Sequence, residues 1–576
     1  NTSVKATQPD FFGDPVEVLL VKGSGWDLAT IEAPGFAALR LEPVRRLAEL
    51  EALSDLDMTR QLRSCMLDPG GPAPSVEAIL HAVLPARFVD HTHANAVVTL
   101  TNTPGGERLT RELYPDCLVL PYVMPGFVLS KQVHEAIRGV DLAQCRGIIL
   151  LHHGVFTFSD DPRESYERMI ELVDRAERFL AERAAWPAIE TGEAAEPPLE
   201  DLRTLARIRR AVSRVRGRAQ LARLDAAPDA WAWASREDVA DIATRGPITP
   251  DHVIRTKRIP VIVDTEPADG VPEIDAFAAA YAAEFDALGG PDLRMLDPAP
   301  RAAVWRGRGT IAFGSTPGEC RIIDDIARHT RRAVLAGEQL GGWTALSPQE
   351  VFDLEYWSLE QAKLAKTGGG DQPHLGRVAL VTGAAGGIGA ATCEALRAGG
   401  AVVVGIDRDP AVLARLAGPD AMGIVADVTD AEAVAAAVRR TVARFGGLDI
   451  LVANAGIFRT GERIEDMSDD TWDRTLEVNL TSVRRLLAAA IGFLRHGVDP
   501  TVLFVGSRNV AAPGPAAAAY SVSKAGLVQL ARVAALELAG DGIRVNLVHP
   551  DAVFDTGVWT PEALERSAAR YGLSVE

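Results

Sequence analysis

The stretch from Arg377 to Asp407, "RVALVTGAAGGIGAATCEALRAGGAVVVGID", restricts the fold more than any other. An apolar, β-branched run ends in a glycine-rich turn, a helix-forming segment follows at once, and a second apolar run comes next. Two such runs joined through a helix become parallel neighbours, because a helical crossover returns the chain to the edge where the first strand began. A doubly wound parallel sheet of Rossmann type is therefore predicted over residues 376–576. Gly383, Gly387 and Gly389, with Ile388 between the last two, give a turn without Cβ atoms where amides and a helix N-terminus can approach a pyrophosphate. Asp407 ends the second run, where a carboxylate accepts from ribose hydroxyls and repels a 2′-phosphate. This favours NAD over NADP, although Arg408 beside it leaves room for the phosphorylated cofactor.

Further motifs follow in order: "VADV" with Asp427 and Val428, "VANAG" with Asn454, Ala455 and Gly456, and "VNLTS" with Asn479. After them come "FVGSRN" with Ser507 and "YSVSK" with Tyr520 and Lys524. Tyr520 and Lys524 lie four apart at the start of a helical segment and so share one face. An ammonium beside a phenol favours the phenolate and lowers its pKa toward the range of a working acid or base. Residues 376–576 resemble the short-chain dehydrogenase/reductase superfamily. The resemblance implies that Tyr520 exchanges a proton with the substrate oxygen and that Lys524 holds the nicotinamide ribose. By it, Ser507 orients the carbonyl, Asn479 anchors a water relay, and Val553 joins the glycines in cofactor binding. The chain departs from that pattern in "HPDAVFDTG", where Asp551 stands in place of a glycine ahead of Val553 and Thr556. It also stops at Glu576, short of the last strand of such domains.

Near the other end, "RFVDHTHANAVV" places His91 and His93 two residues apart in an apolar run. On a strand both face one way, about 7 Å apart, and two imidazoles can converge on one metal. "GIILLHHGVFTF" offers a third imidazole, His152 or His153, and alternation alone does not choose between them. A histidine on an apolar strand is more often a hydrogen-bonded core residue. The wider pattern, "PSVEAILHAVLPARFVDHTHANAVV" followed by "HHG", resembles the class II aldolases. That resemblance makes His91, His93 and His153 ligands of Zn2+, Glu77 the catalytic acid/base close to the metal, and His152 a structural neighbour. It also makes "NTSVK" and "VKGSGWD" phosphate-binding turns, with Asn1, Ser3, Lys5, Ser24, Gly25 and Ser75 as candidates for gripping a sugar phosphate. A three-imidazole zinc with an open position serves as a Lewis acid toward the oxygens of a ketose 1-phosphate.

The expected architecture is α/β in three parts. A class II aldolase-type domain spans residues 1–186, a connecting α/β subdomain 200–365, and the Rossmann domain 376–576. "WPAIETGEAAEPPLEDL" reads as one linker and "KTGGGDQPHLG" as a second boundary. In the middle part at least two runs, "PVIVD" and "GTIAFG", read as strands among helices rich in Arg and Ala, and no catalytic constellation is evident. The whole order, with "GPITPDHVIRTKRIP" and "EYWSLEQAKL", resembles the bifunctional rhamnulose-1-phosphate aldolase/short-chain dehydrogenase family. The resemblance implies cleavage of L-rhamnulose 1-phosphate to dihydroxyacetone phosphate and L-lactaldehyde, then nicotinamide-dependent oxidoreduction of the aldehyde. A Ser-Tyr-Lys set interconverts alcohol and carbonyl, whereas oxidation to an acid uses a thiolate or a hydrate. Cys393, inside the first helix of the domain, reads as packing. Three alternatives stand beside this reading: a non-catalytic binding module at the N-terminal end, a pentulose-phosphate epimerase, and an oxidoreductase with a relic first half.

Composition narrows the partners. A net charge of −18 over 576 residues argues against nucleic acid or an acidic membrane as the partner and for small molecules. Five widely spaced cysteines without a CxxC pair suggest neither a disulfide framework nor a thiolate metal site, so the cytoplasm is expected. No apolar run reaches the ~18–20 residues that span a bilayer. The aldolase resemblance implies a homo-oligomer. Asn1 in place of an initiator Met, and the missing last strand, suggest a chain cut at both ends.

Overall fold

The computed structural model describes residues 1–184, 196–264, 270–359, 372–554, 556, 561–571 and 574. Most of the predicted linker and of the second boundary lies outside the described residues. Three sheets organise the chain. The first contains β1 (Thr2–Pro9), β2 (Pro15–Lys22), β3 (Phe36–Arg40), β4 (Phe88–Thr92), β5 (Leu118–Leu120), β6 (Ile148–Leu150) and β7 (Gly154–Ser159), in the order β3-β2-β1-β4-β7-β6-β5. All its pairs are antiparallel except β5 with β6. The amphipathic helix Pro162–Ala184 packs on β7 and on the helix Asn95–Thr101, burying Met169, Leu172, Ala176 and Leu180 against Val97, Leu100 and Val155.

The second sheet has four strands: β8 (Leu221–Asp225), β9 (Val261–Val263), β10 (Ala302–Trp305) and β11 (Gly309–Gly314), ordered β8-β11-β10-β9. β9 and β11 are the two runs predicted from sequence. "LARLD" and "AAVW" were not legible as strands because each is short and lacks alternation.

The third sheet runs β14 (Ala421–Val425), β13 (Val402–Asp407), β12 (Val378–Thr382), β15 (Ile450–Ala453), β16 (Thr501–Val505), β17 (Arg544–Val548), with every pair parallel. This is the order 3-2-1-4-5-6 of dinucleotide-binding sheets, and the strand order reverses between β12 and β15. β12 is buried along its whole length, as helices on both faces require.

The second sheet's domain and the parallel sheet are joined by a buried ion pair. Arg209, on the helix Leu199–Arg216, and Asp449, just before β15, are both 0% exposed. Arg209 donates to both carboxylate oxygens, at 3.0 and 2.5 Å, and to the carbonyls of Gln220 and Gly376. Gly447 leaves the guanidinium room, since a Cβ there would meet Arg209 Nη1 at 2.6 Å.

Candidate active sites

The N-terminal site assembles where β4 ends against β7. His91 pairs with Phe156 across the ladder and stacks on its ring at 3.9 Å between centroids. Its Nδ1 is 2.9 Å from Val155 O, which leaves Nε2 to point away from the strand. β4 stops at Thr92, so strand alternation aims only His91, and His93 is placed by the turn that follows. The two Nε2 atoms nonetheless lie 3.0 Å apart. The next residue after the His152–His153 pair, Gly154, has to be glycine, because a Cβ would stand 2.3 Å from Thr92 O. His153 Nε2 and His91 Nε2 are each 3.3 Å from Glu77 Oε1. Glu77 immediately precedes the helix Ala78–Val83 but makes no side-chain cap bond, so its carboxylate is free to face the imidazoles.

Ligand atoms of Glu77, His91, His93 and His153 all lie within 4.8 Å of one another. Donors bonded at ~2.0–2.1 Å to one tetrahedral centre stand about 3.3 Å apart, so this donor set fits a divalent metal of zinc type. Burial would raise the Glu77 pKa, but His91, His153 and His93 outweigh it and hold the carboxyl well below its ordinary range. Burial pushes His91 in the opposite sense from protonation, which keeps a lone pair available for a metal.

Sequence reasoning missed Asp251. Its Oδ2 lies 2.9 Å from His93 Nδ1, and it belongs to the middle region where no constellation was expected. Burial disfavours the charged forms of both partners, yet their mutual attraction raises His93 and lowers Asp251. A carboxylate on the outer nitrogen fixes the tautomer and aim of a ligating imidazole. The turn Pro250–His252 is held in place by Asn102 Nδ2 donating to Ile248 O at 2.9 Å. Asn95 Nδ2 also meets His329 Nδ1 at 2.9 Å. Only an "x-Pro-Asp-His" turn marked this segment in the sequence.

The predicted phosphate residues divide into two groups. Asn1 continues the β1–β4 ladder, its carbonyl accepting from His91 N at 2.9 Å, and its Nδ2 donates to Ser75 Oγ at 2.8 Å and Glu77 Oε2 at 3.2 Å. Ser24 N donates to Ala73 O, which brings the exposed Ser24–Gly25 turn beside the Ser75 loop. Gly25 has φ +84, a conformation side chains resist. Ser3 and Lys5 are not brought to this group. Ser3 Oγ bonds His81 Nδ1 at 2.8 Å, and Lys5 Nζ donates to Ala86 O at 2.6 Å. Burial pulls the Lys5 pKa down to about 7. Lys22, on β2, donates instead to Gly23 O, and its charge is felt at Asn1.

The second site lies at the carboxyl ends of the parallel strands. Gly389 packs so closely on Gly383 that a Cβ would meet the Gly383 carbonyl at 1.9 Å, and Gly383 and Gly387 take φ of +68 and +53. Asn454 Nδ2 caps this turn by donating to Thr382 O at 2.9 Å, with Ala455 N and Asn454 N on Thr382 Oγ1. Asp407 accepts from Ala385 N at 2.9 Å and Asp409 N at 3.0 Å, which fixes the carboxylate at the end of β13. Asp427, before Val428, is held by Thr429 and Arg474.

Asn479 sits in a π-helical turn, Glu477–Thr481, of the kind that recurs at functional sites. It is fully buried, accepts from Ile457 N at 2.8 Å and donates to Ser523 Oγ at 3.1 Å. A Cβ on Gly456 would lie 3.2 Å from Asn479 Oδ1 and 3.5 Å from Lys524 Nζ, so the motif glycine faces the same centre. Tyr520 and Lys524 lie on the helix Ala518–Leu538, and Lys524 Nζ donates to Val505 O at 2.8 Å, 6.0 Å from the Tyr520 ring centre. The expected lowering of the Tyr520 pKa is not found in this arrangement. Burial raises it, a hydrogen bond with Ser507 offsets part of the rise, and the ammonium is spent on a carbonyl. Burial lowers Lys524 itself to about 8.

Asp551 is accounted for by Arg508, whose Nη1 meets both its oxygens at 2.8 and 2.9 Å. Thr556 Oγ1 bonds Val553 O, and Thr556 lies over Gly387, so the segment closes on the glycine turn. Cys393 is buried, and burial pushes its thiol up to about 12, away from the range of a thiolate nucleophile.

Three family models match successive parts of the chain. The class II aldolase and adducin N-terminal domain matches residues 1–180, the second domain of class II aldolases residues 200–364, and short chain dehydrogenase residues 377–566. A Bacillus subtilis protein described as the uncharacterized oxidoreductase YuxG is 32% identical, covering 100% of this chain and 86% of its own length. The chain belongs to the family in which class II aldolase domains are fused to a short-chain dehydrogenase.

The dehydrogenase part of this fusion has many shorter relatives. Cis-4-hydroxycyclohexanecarboxylate dehydrogenase of Sinomonas cyclohexanicum is 41% identical over 30% of this chain and 72% of its own. The 3-oxoacyl-[acyl-carrier-protein] reductase FabG of Escherichia coli is 36% identical over the same shares. Both families are enzymes, and so is the fusion. Among the described residues, no helix is long and apolar enough to cross a membrane.

Proposed function

We propose that the fusion cleaves L-rhamnulose 1-phosphate to dihydroxyacetone phosphate and L-lactaldehyde, and that its second site interconverts the carbonyl and alcohol of the aldehyde with NAD. The observation that carries the first half is the meeting of Glu77 with three imidazole nitrogens beside Asn1 and Ser75. Zn2+ held by His91, His93 and His153 would supply Lewis acidity toward the substrate's carbonyl and hydroxyl oxygens. Asn1, Ser24, Gly25 and Ser75 grip the phosphate, with Lys22 adding an ammonium. Glu77, ionised among the imidazoles, takes the hydroxyl proton as the carbon–carbon bond breaks and returns it to the carbon left on the phosphate-bearing fragment.

NAD at the glycine turn would accept or supply the hydride. Tyr520 moves the matching proton at the substrate oxygen, with Ser507 bonding the same oxygen and Asn479 feeding the relay. Asp407 at the end of β13 favours NAD over NADP. A buried, protonated Cys393 supports carbonyl–alcohol exchange over acid formation.

The test is release of dihydroxyacetone phosphate by the full-length chain, with and without a chelator, beside His93→Ala and Glu77→Ala. Chelator-sensitive release lost in both variants is the expected result. A zinc-loaded wild type that releases nothing refutes the reading. NADH consumption with L-lactaldehyde, lost in Tyr520→Phe, tests the second site.

A further inference from the structure

Two segments that stand out in the sequence, "GPITPDHVIRTKRIP" and "EYWSLEQAKL", meet in the second domain, and of their residues the metal centre uses only Asp251. Lys257 from the first and Glu355 from the second form an ion pair at 2.9 Å, and both are buried. They line a cavity of about 250 Å³. An engineered apolar cavity of ~150 Å³ takes up benzene, so this one has room for a small metabolite. Neither the metal ligands nor the phosphate candidates line it.

The lining is charged, and its charges do not cancel. Arg216, Arg255, Lys257 and Arg301 stand there with Asp297, Glu319 and Glu355. Asp297 is shared between two guanidinium groups, Arg216 at 3.1 Å and Arg301 at 2.7 Å. Glu355 Oε1 accepts from Lys257 Nζ and also from Tyr281 Oη at 2.8 Å. Glu319 accepts from Ser315 N at 2.6 Å and stands in the first turn of the helix Pro317–Gln339, whose N-terminus offsets its charge. Arg255 is exposed and has no ion-pair partner among the described residues. Positive charge is therefore left over. Burial disfavours the charged forms of Lys257 and Arg216, and their carboxylate partners offset this only in part. Buried cations so incompletely paired favour an added anion.

Backbone strain marks the same spot. Lys257 has φ +66 and ψ 170, a combination essentially restricted to glycine. Its amide donates to Val253 O at 3.1 Å and its carbonyl accepts from Thr256 Oγ1 at 2.9 Å, which holds the turn in place. Strain of this kind persists where the surroundings enforce it, and it clusters at ligand clamps. Phe313 and Ile323, both buried, supply an apolar wall for a carbon skeleton.

We propose that this cavity binds a small organic anion, a phosphate monoester or a carboxylate, held by Lys257, Arg216 and Arg255 against Phe313 and Ile323. The site is separate from the metal centre and does not depend on the aldolase reading.

The test is calorimetric titration of the full chain with glycerol 3-phosphate, L-glycerate and glycerol, which differ in charge on a common skeleton. Ser75→Ala serves as the background, to weaken the phosphate grip beside Glu77. One anion bound per chain, without glycerol, is the expected result. Binding of glycerol 3-phosphate alone assigns the site to phosphate esters, and binding of L-glycerate admits carboxylates. The double variant Lys257→Met, Glu355→Gln, which strands no charge, should lower affinity about 10- to 100-fold. Arg255→Ala, at an exposed residue, should lower it about 2- to 5-fold. If the double variant does not fold, Arg216→Gln takes its place with the same expected loss, since Arg301 still pairs with Asp297. Equal binding of glycerol, no saturable binding below about 10 mM, or affinities unchanged in the variants would each overturn the proposal.

Discussion

Removing the Arg209 side chain should show how far the aldolase half and the dehydrogenase half depend on each other. In Arg209→Leu, Asp449 stays 0% exposed and loses two charge-assisted bonds, at 3.0 and 2.5 Å. Among the described residues it keeps the amides of Val378 at 2.7 Å and Val498 at 2.6 Å. The carbonyls of Gln220 and Gly376 lose their donor as well. Breaking a buried pair from one side costs about 3–5 kcal/mol, because the remaining charge is uncompensated. For a domain of this size about 2–4 °C of Tm accompanies each kcal/mol, so the dehydrogenase transition should fall by roughly 6–20 °C. Scanning calorimetry of the full chain reads the shift directly. The double variant Arg209→Leu, Asp449→Asn should recover part of the loss, since an amide carries no charge to strand. A single-variant shift below about 2 °C would refute the argument, for it would mean that water reaches Asp449.

Other expectations follow from the same geometry. Asp251→Asn should weaken zinc about 10- to 100-fold by freeing the outer nitrogen of His93, read by competition with a chromogenic chelator; unchanged affinity would detach the second domain from the metal centre. Gly389→Ala forces a Cβ to within 1.9 Å of Gly383 O, so NADH binding measured by fluorescence should weaken at least about 10-fold while aldolase turnover is kept. Lys524, lowered to about 8 against an ordinary 10.5, leaves the unfolded chain holding more protons between those pH values. Its burial penalty is full below pH 8 and gone above 10.5, so wild-type stability should gain up to about 3 kcal/mol over that window relative to Lys524→Met; parallel pH profiles would contradict the assignment.

Much of the chain was legible before folding because its strongest signals are local. The glycine turn and Tyr520 with Lys524 are set by spacing within a few residues, where backbone geometry fixes what can share a face, whereas His91 and His93 meet because the turn after β4 places His93. The parallel sheet was implied by one strand–helix–strand unit, while its six-stranded order came from the fold. Legibility failed where short segments gain their character from neighbours. β8 and β10 carry too few residues to show a period. Ser3 and Lys5 looked like phosphate contacts by their order, but His81 and the Ala86 carbonyl, both far along the chain, take up their polar ends.

The sequence alone determined the fold classes, their order and most of the chemistry-bearing side chains, since each depends on local pattern and residue type. Tertiary structure decided which of His152 and His153 faces Glu77, that Asp251 steadies His93 from another domain, and that Lys524 is engaged by Val505 rather than Tyr520. It also decided that Arg209 and Asp449 lock the halves together. These are contacts between groups far apart along the chain, whose distance, burial and charge exist only once the packing of separate elements has brought them together.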